Sequence, residues 1–400
     1  MRRDAAVVVG ASLAGVRAAE ALRRGGHDGP LTVVGAEDHH PYDRPPLSKR
    51  FLTGRVDVDG LTLGADDLDV EWCLGRRATA LDLERARVTL DGGDDLAYDR
   101  LVIATGAQPR RVPGIDEQEG VHLLRTLDDA VALRDAVRTG SPRVVVVGGG
   151  VIGLEVASSA RALGLDVTVL EAAPVPLMRI LGPVIGPVCA ELHRDSGVDI
   201  RLGVPVDAVV GDGRVEGVRL GGGEVIPADV VVVGVGAAPT TDWLRSSGID
   251  LADGVLCDDR LRVRAGGDVV PGVAAAGDVA RWDCRQPDGS TAATRVEHWT
   301  NAVEQGQAAA AALLHGDAAP PFAPVPYMWS DQHGRKIQLV GLPHPDDEVL
   351  VLDGDTGQRR FVAAYGRGGR LVAAVGFSRP APVMALRRAI ADGASFPPGL

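Results

Sequence analysis

Val144-Val145-Val146-Val147-Gly148-Gly149-Gly150-Val151-Ile152-Gly153 is an apolar run that breaks into three glycines and meets a fourth three residues later. Four consecutive valines read as a strand covered on both faces, as in a parallel sheet. The residues after the glycines, through Leu163, read as a helix. In a strand–turn–helix unit of this kind Gly148 permits the tight turn. Gly150 lets the backbone approach a pyrophosphate, and Gly153 lets helix and strand pack closely, with the helix N-terminus facing the phosphates. A second strand follows, Val167-Thr168-Val169-Leu170-Glu171, and ends in a carboxylate where a ribose should sit. Glutamate there can accept hydrogen bonds from both ribose hydroxyls and repels a 2′-phosphate, so Glu171 favours NADH over NADPH. Arg179 lies nearby in sequence and softens that repulsion. Gly148, Gly150, Ile152, Gly153 and Glu171 are therefore candidate contacts to a nicotinamide dinucleotide.

The same unit occurs earlier. Ala6-Val7-Val8-Val9-Gly10-Ala11-Ser12-Leu13-Ala14-Gly15 is a strand, a turn and the approach to a helix expected from about Val16 to Arg24. Its second strand, Leu31-Thr32-Val33-Val34-Gly35-Ala36-Glu37, again ends in an acid. Ser12 replaces the middle glycine but keeps a small side chain beside the phosphate. Gly10, Ser12, Gly15 and Glu37 make a second dinucleotide set, and two such sets in one chain point to electron transfer between cofactors.

A chain of 400 residues with 45% hydrophobic content suits two or three packed domains. Its formal net charge of −12 argues against nucleic acid as a partner. Arg2 and Arg3 precede an apolar run, but that run is the strand feeding Gly10. No stretch is long enough to span a bilayer, so no membrane association and a cytoplasmic location are expected. Cys73, Cys189, Cys257 and Cys284 are scattered, with no closely spaced redox or metal-binding pair, and no metal site is expected. Lysine occurs only at Lys49 and Lys336.

Pro41-Tyr42-Asp43-Arg44-Pro45-Pro46-Leu47-Ser48-Lys49, taken with the doubled glycine unit, resembles the FAD-dependent ferredoxin reductases that serve cytochrome P-450 and Rieske-type oxygenases. These belong to the pyridine nucleotide–disulfide oxidoreductase superfamily. Further matching stretches are Leu101-Val102-Ile103-Ala104-Thr105-Gly106-Ala107, Leu124-Arg125-Thr126-Leu127, Ala276-Gly277-Asp278-Val279-Ala280, Glu297-His298-Trp299 and Trp329-Ser330-Asp331-Gln332. The two prolines stiffen the loop that presents Lys49. The resemblance implies that Lys49 lies beside the flavin edge that accepts hydride and pairs with Glu155, an electrostatic support for reduced flavin. It also implies that Asp278 binds the ribityl chain of FAD, that backbone at Val296 approaches the ring, and that Ala14 and Ala78 touch FAD through backbone. Arg44 and Arg125 serve its phosphates or surroundings, with Thr105, Gly106, Gly236 and Trp299 as further cofactor contacts. Trp329 packs near the flavin on the electron exit route. His298 reads as a packing or helix-capping residue.

The fold expected is α/β, with two Rossmann-like dinucleotide-binding domains for FAD and NAD and a C-terminal α+β interface domain. The resemblance makes the FAD domain discontinuous, 1–108 and 236–318, because the Gly277-Asp278 segment must return to the flavin. Residues 109–235 form the NAD domain and 319–400 the interface domain. Gly277-Asp278 ends an apolar strand and precedes residues that could start a helix. The C-terminal part reads as strands at Lys336–Val340 and Arg370–Val375 and a helix from Val383 to Asp392. The implied activity is hydride transfer from NADH to FAD, then single electrons to a small ferredoxin of 2Fe–2S or similar type, and through it to an oxygenase. Docking is expected on a basic patch to which Arg50, Arg281, Arg285, Arg335 and Lys336 contribute. The alternatives are a rubredoxin or quinone reductase, a disulfide or peroxide reductase, for which no cysteine stands near Leu47 and Ser48, and a flavoprotein like the apoptosis-inducing factors. The chain is expected as a monomer or homodimer.

Overall fold

The computed structural model describes residues 4–65, 67–112, 114–115, 118–285 and 290–399, which pack as two compact units. The first takes its residues from 1–43, 61–108 and 238–326. Its centre is the strand Ala6–Val9, buried along its whole length and paired in parallel with Leu31–Val34 on one side and Arg100–Ile103 on the other. Glu71–Cys73 and Asp268–Ala275 extend the sheet outward. The helix Leu13–Arg24 starts earlier than the sequence suggested, because Ser12 in extended conformation already serves as its N-cap. It buries Val16, Ala18, Ala19 and Leu22 and packs on the helix Trp299–His315. Gly306 allows that approach, since a Cβ there would lie 2.5 Å from the Ala14 carbonyl oxygen.

One expectation fails in this unit. Gly277–Asp278 opens a single 3-10 turn, Gly277–Val279, and the chain continues as the strand Ala280–Arg285, not as a helix. Ala280 and Trp282 are buried while Arg281 and Asp283 are less so. That period of two selects a strand, which pairs with Val255–Cys257 and Thr291–Arg295.

The second unit takes its residues from 44–60, 109–237 and 327–400. Val144–Val147 lies between Val167–Glu171 and Val230–Val233, with Asp199–Leu202 and Val121–His122 at the edges, all parallel. The helix Val151–Ala162 follows the glycine turn. The helix Leu127–Arg138 is opened by a capping box in which Thr126 and Asp129 satisfy each other's backbone N–H groups. An antiparallel sheet follows in the order Tyr327–Gln332, Arg335–Gly341, Arg370–Phe377, Arg360–Arg367, Glu348–Asp355, closed by the helix Pro380–Ala391. Its inner face shares one core with the parallel sheet: Ile337, Leu339, Phe361 and Phe377 join Leu154, Val156 and Val169. Residues 44–60 pack here because Leu52 enters the same core and the Arg134 guanidinium lies 4.3 Å over the Phe51 ring. Among the described residues no helix is long and apolar enough to cross a membrane.

Candidate cofactor sites and a buried charge pair

The two glycine turns repeat one geometry. Gly10 has φ +124°, and a Cβ on it would lie 2.0 Å from the Ala104 carbonyl oxygen; one on Gly15 would lie 1.8 Å from the Gly10 carbonyl oxygen. In the second unit Gly148 has φ +108° and would meet the Gly234 carbonyl oxygen at 2.4 Å, while Gly153 would meet that of Gly148 at 2.3 Å. The outer glycines are thus required by backbone crowding alone. Gly150 differs: among the described residues outside its own turn, a Cβ there would find nothing closer than the Gly234 carbonyl oxygen at 3.6 Å. The space it leaves at the helix N-terminus has the chemistry to hold a pyrophosphate, and Ser12 holds the corresponding N-cap position in the first unit. Beside Gly150, Ile152 is 44% exposed, an apolar side chain left open on the first helical turn.

Glu171 is fixed against the second turn. Its Oε2 accepts from the Gly149 N–H at 2.6 Å and its Oε1 from the Ala173 N–H at 2.7 Å. A carboxylate has about four lone-pair positions, so capacity for two ribose hydroxyls remains. Gly236, with φ +107°, faces Arg179 and Arg110, whose guanidinium nitrogens lie 3.6 and 3.8 Å from its virtual Cβ.

In the first unit, Glu37 accepts from the Tyr42 hydroxyl at 2.5 Å. The Gly277 N–H donates to Gln305 Oε1 at 2.8 Å, and a Cβ on Gly277 would lie 2.9 Å from that of Ala14. Asp278 is therefore carried to the first turn of the helix Leu13–Arg24. Arg295 donates to the Asp278 carbonyl at 3.1 Å, Asn301 donates to that of Val296 at 3.0 Å, and the Trp299 indole donates to Asp43 Oδ1 at 2.8 Å. His298 is the N-cap residue of the helix Trp299–His315 without a side-chain capping bond. Burial pushes its imidazole down to about 4, and its buried Nδ1 has no partner among the described residues. An unsatisfied nitrogen beside Val296 and Trp299 suits a group that accepts or donates there. Thr105 donates to the Thr240 carbonyl at 2.8 Å, Gly106 has φ +67°, and Ala78 is buried at the start of the strand Ala78–Asp82.

Lys49 and Glu155, 106 residues apart in sequence, meet in the second unit with Nζ 2.6 Å from Oε2. Lys49 rides a π-helical turn, Leu47–Phe51, and also donates to the Pro45 carbonyl at 3.0 Å. Glu155 stands on the buried face of the helix Val151–Ala162 and is 1% exposed. Its carboxylate takes two more donors, the Ser48 hydroxyl on Oε2 at 2.5 Å and the Ser330 hydroxyl on Oε1 at 2.6 Å. Three donors, one of them cationic, thus converge on this buried side chain. An ammonium has three N–H donors, and two of those on Lys49 have partners among the described residues. Sequence reasoning missed Ser48 and Ser330, although each adjoins a residue it singled out.

Arg44 donates to the Arg125 carbonyl at 2.6 Å, so these two candidates are also adjacent in the second unit. Trp329 stacks on Tyr327 with ring centroids 6.0 Å apart. Of the expected basic groups, Arg50, Arg335 and Lys336 belong to the second unit and Arg281 and Arg285 to the first. Lys336 lies 3.6 Å from Asp331, and Arg281 donates to the carbonyls of Ala252 and Ala293.

None of the four cysteines forms a disulfide. Burial raises each thiol above its ordinary value, Cys189 to about 12, and Cys73, Cys257 and Cys284 in the same direction. None has the lowered pKa of a reactive thiolate. Among the described residues no cluster of three or more potential ligands could hold a metal ion.

Residues 4–306 match the pyridine nucleotide-disulphide oxidoreductase family and residues 327–400 the reductase C-terminal family. The ferredoxin–NAD(+) reductase component of the biphenyl dioxygenase system of Paraburkholderia xenovorans is 39% identical over 89% of this chain and 85% of its own length. Putidaredoxin reductase of Pseudomonas putida is 33% identical over 99% of this chain and 94% of its own. The solved covalent complex of putidaredoxin reductase with putidaredoxin superposes with a TM-score of 0.90 at 33% identity, covering 98% of this chain and 93% of that one.

Proposed function

The chain belongs to the pyridine nucleotide-disulphide oxidoreductase family, and from that membership we propose that it is an FAD-dependent NADH:ferredoxin oxidoreductase whose ferredoxin feeds an oxygenase. The observation that carries this reading within the family is the state of the cysteines. A disulfide or persulfide route needs an activated thiolate, and none of the four thiols has a lowered pKa, since desolvation raises each of them. Electrons then leave without a sulfur relay.

When bound, FAD takes hydride from NADH and returns electrons singly to an iron–sulfur carrier. The chain's own residues bind, orient and supply charge. Gly10, Ser12 and Gly15 would cradle the FAD pyrophosphate, with Glu37 at its ribose and Asp278, Val296 and Trp299 along the flavin side. Gly148, Gly150 and Gly153 would cradle NADH, with Glu171 at its ribose. The rigid glycine turns fix where each dinucleotide enters, which lowers the ordering cost of binding. Glu155 holds the Lys49 ammonium in place, and in this reading that cation would offset negative charge on a reduced flavin. Trp329 serves the exit side. The location is the cytoplasm, where NADH is available.

Anaerobic titration of the FAD-loaded protein with NADH, followed by mixing with a 2Fe–2S ferredoxin, tests the reading. One equivalent of NADH should bleach the flavin, and ferredoxin should restore its colour while becoming reduced. Reoxidation by disulfide or persulfide substrates alone, with ferredoxin inert, would refute it.

A further inference from the structure

A polar chain runs on from Glu155 through the second unit. Ser330 Oγ accepts from Gln332 Nε2 at 2.9 Å, Gln332 Oε1 lies 3.0 Å from His193 Nε2, and His193 Nδ1 lies 3.0 Å from His333 Nε2. Cys189 also donates to Gln332 Oε1, at 3.5 Å. Ser330, Gln332 and His193 are buried, and His333 is partly so. A small cavity lined by Val151, Leu177, Leu181, Ile337 and Leu339 borders Ser330 and Gln332, so the chain crosses apolar ground.

Its polarity is forced from one end. Glu155 Oε1 is a buried carboxylate oxygen that needs a donor, and Ser330 supplies it. With its proton committed, Ser330 must accept, which turns the Gln332 amide nitrogen toward it. The Gln332 oxygen then faces His193 and requires the Nε2–H tautomer there. That leaves His193 Nδ1 as an acceptor and requires Nε2–H on His333. Every donor in the chain points toward Glu155. Proton transport is not its use, because an amide at Gln332 interrupts any relay of protons.

We propose that Gln332 and the His193–His333 pair are positioning residues for the Lys49–Glu155 couple: their one-way hydrogen-bond chain holds the Ser330 hydroxyl on Glu155 and so fixes the carboxylate that carries the ammonium. The inference rests on the proposed role of Lys49 beside the flavin. Burial of His193 and His333 agrees with it, since both imidazoles are pushed down to about 4 and stay neutral at neutral pH, as the tautomer assignment requires.

The test is Gln332→Glu, which keeps the shape of the side chain and replaces its donor by an acceptor. The Ser330 hydroxyl then turns away from Glu155. At saturating NADH the rate of anaerobic flavin reduction should fall about tenfold or more, while the half-saturating NADH concentration stays within about twofold, because the dinucleotide cradle is untouched. His333→Phe should slow reduction less, and His333→Gln, which keeps a donor at the Nε2 position, should restore the rate. Independently of turnover, nitrogen NMR of the histidines in the full-length protein, with and without FAD, should show His193 protonated at Nε2 and not at Nδ1. A reduction rate unchanged by Gln332→Glu, or an Nδ1–H tautomer at His193, overturns the proposal. Should the unsubstituted protein not be reduced by NADH at all, the reading of function fails, and the tautomer measurement still decides the chain.

Discussion

Replacing Gly150 and Gly153 separately by alanine should damage different properties of the protein, although the two lie in one turn. At Gly153 the new methyl would sit 2.3 Å from the Gly148 carbonyl oxygen and 3.1 Å from Val146 Cγ1. Neither neighbour can retreat, since one is backbone and the other is in the central strand. Overpacking of this kind costs ~1–3 kcal/mol, against a gain of up to ~1 kcal/mol for alanine inside a helix. A net loss of about 1–2 kcal/mol follows, a fall in Tm of several degrees. At Gly150, φ −78° and ψ 177° suit alanine, and the closest protein atom would be 3.6 Å away. The fold should lose under ~1 kcal/mol, as expected at an N-cap. The methyl would instead occupy the space reserved for the pyrophosphate, and at least about 1.4 kcal/mol of binding, a tenfold rise in Kd, should be lost. Calorimetric unfolding gives the first quantity, and titration with NAD+, which avoids turnover, gives the second. Unchanged affinity in Gly150→Ala, or equal destabilisation by both substitutions, would refute the assignment of Gly150 to the ligand.

Lys49→Met leaves Glu155, 1% exposed, without its cation, and should cost about 3–5 kcal/mol unless the carboxyl takes up a proton. Lys49→Met with Glu155→Gln should recover most of that loss in denaturant unfolding while flavin reduction stays impaired. Stability should fall with acid because of His193. Its folded pKa of about 4 lies below the unfolded value of ~6.5, so the unfolded state binds the proton first. The loss begins as pH drops through ~6.5 and is complete near 4, reaching about 2 kcal/mol at pH 5. His193→Phe should flatten that part of the urea-unfolding profile, and an unchanged slope would count against the buried neutral imidazole. Glu171→Gln keeps an acceptor beside Gly149 and removes the charge that repels a 2′-phosphate, with Arg179 near Gly236. The NADPH to NADH ratio of kcat/KM should rise about tenfold.

Both glycine turns were legible because their geometry is a backbone matter. A glycine at a tight strand-to-helix turn shows itself by residue type alone, and Gly10, Gly15, Gly148 and Gly153 are each crowded by a carbonyl within three ångströms. The meeting of Lys49 and Glu155 carries no local signal, since no helical or strand period joins residues 106 apart. It was readable only through likeness to related chains. The turn at Gly277 was misread for a local reason. Gly-Asp before small residues is common ahead of helices, and only the burial of Trp282 two residues after Ala280 discloses the strand.

The strand Tyr327–Gln332 shows what sequence patterning can reveal once it is inverted. By residue type alone Trp329 would be the one expected inside and Ser330 and Gln332 the ones expected to meet water. The buried positions are Ser330 and Gln332, while Trp329 is only partly covered. A strand that buries its polar residues gives up hydrophobic burial at two positions, and it is kept only if those groups find partners. Here they do: Ser330 ends on Glu155, and Gln332 bridges Ser330 to His193. The C-terminal sheet therefore does more than complete the core of the second unit. It delivers a directed set of dipoles to the carboxylate that holds Lys49, and the inverted pattern is the trace that this demand leaves in the sequence.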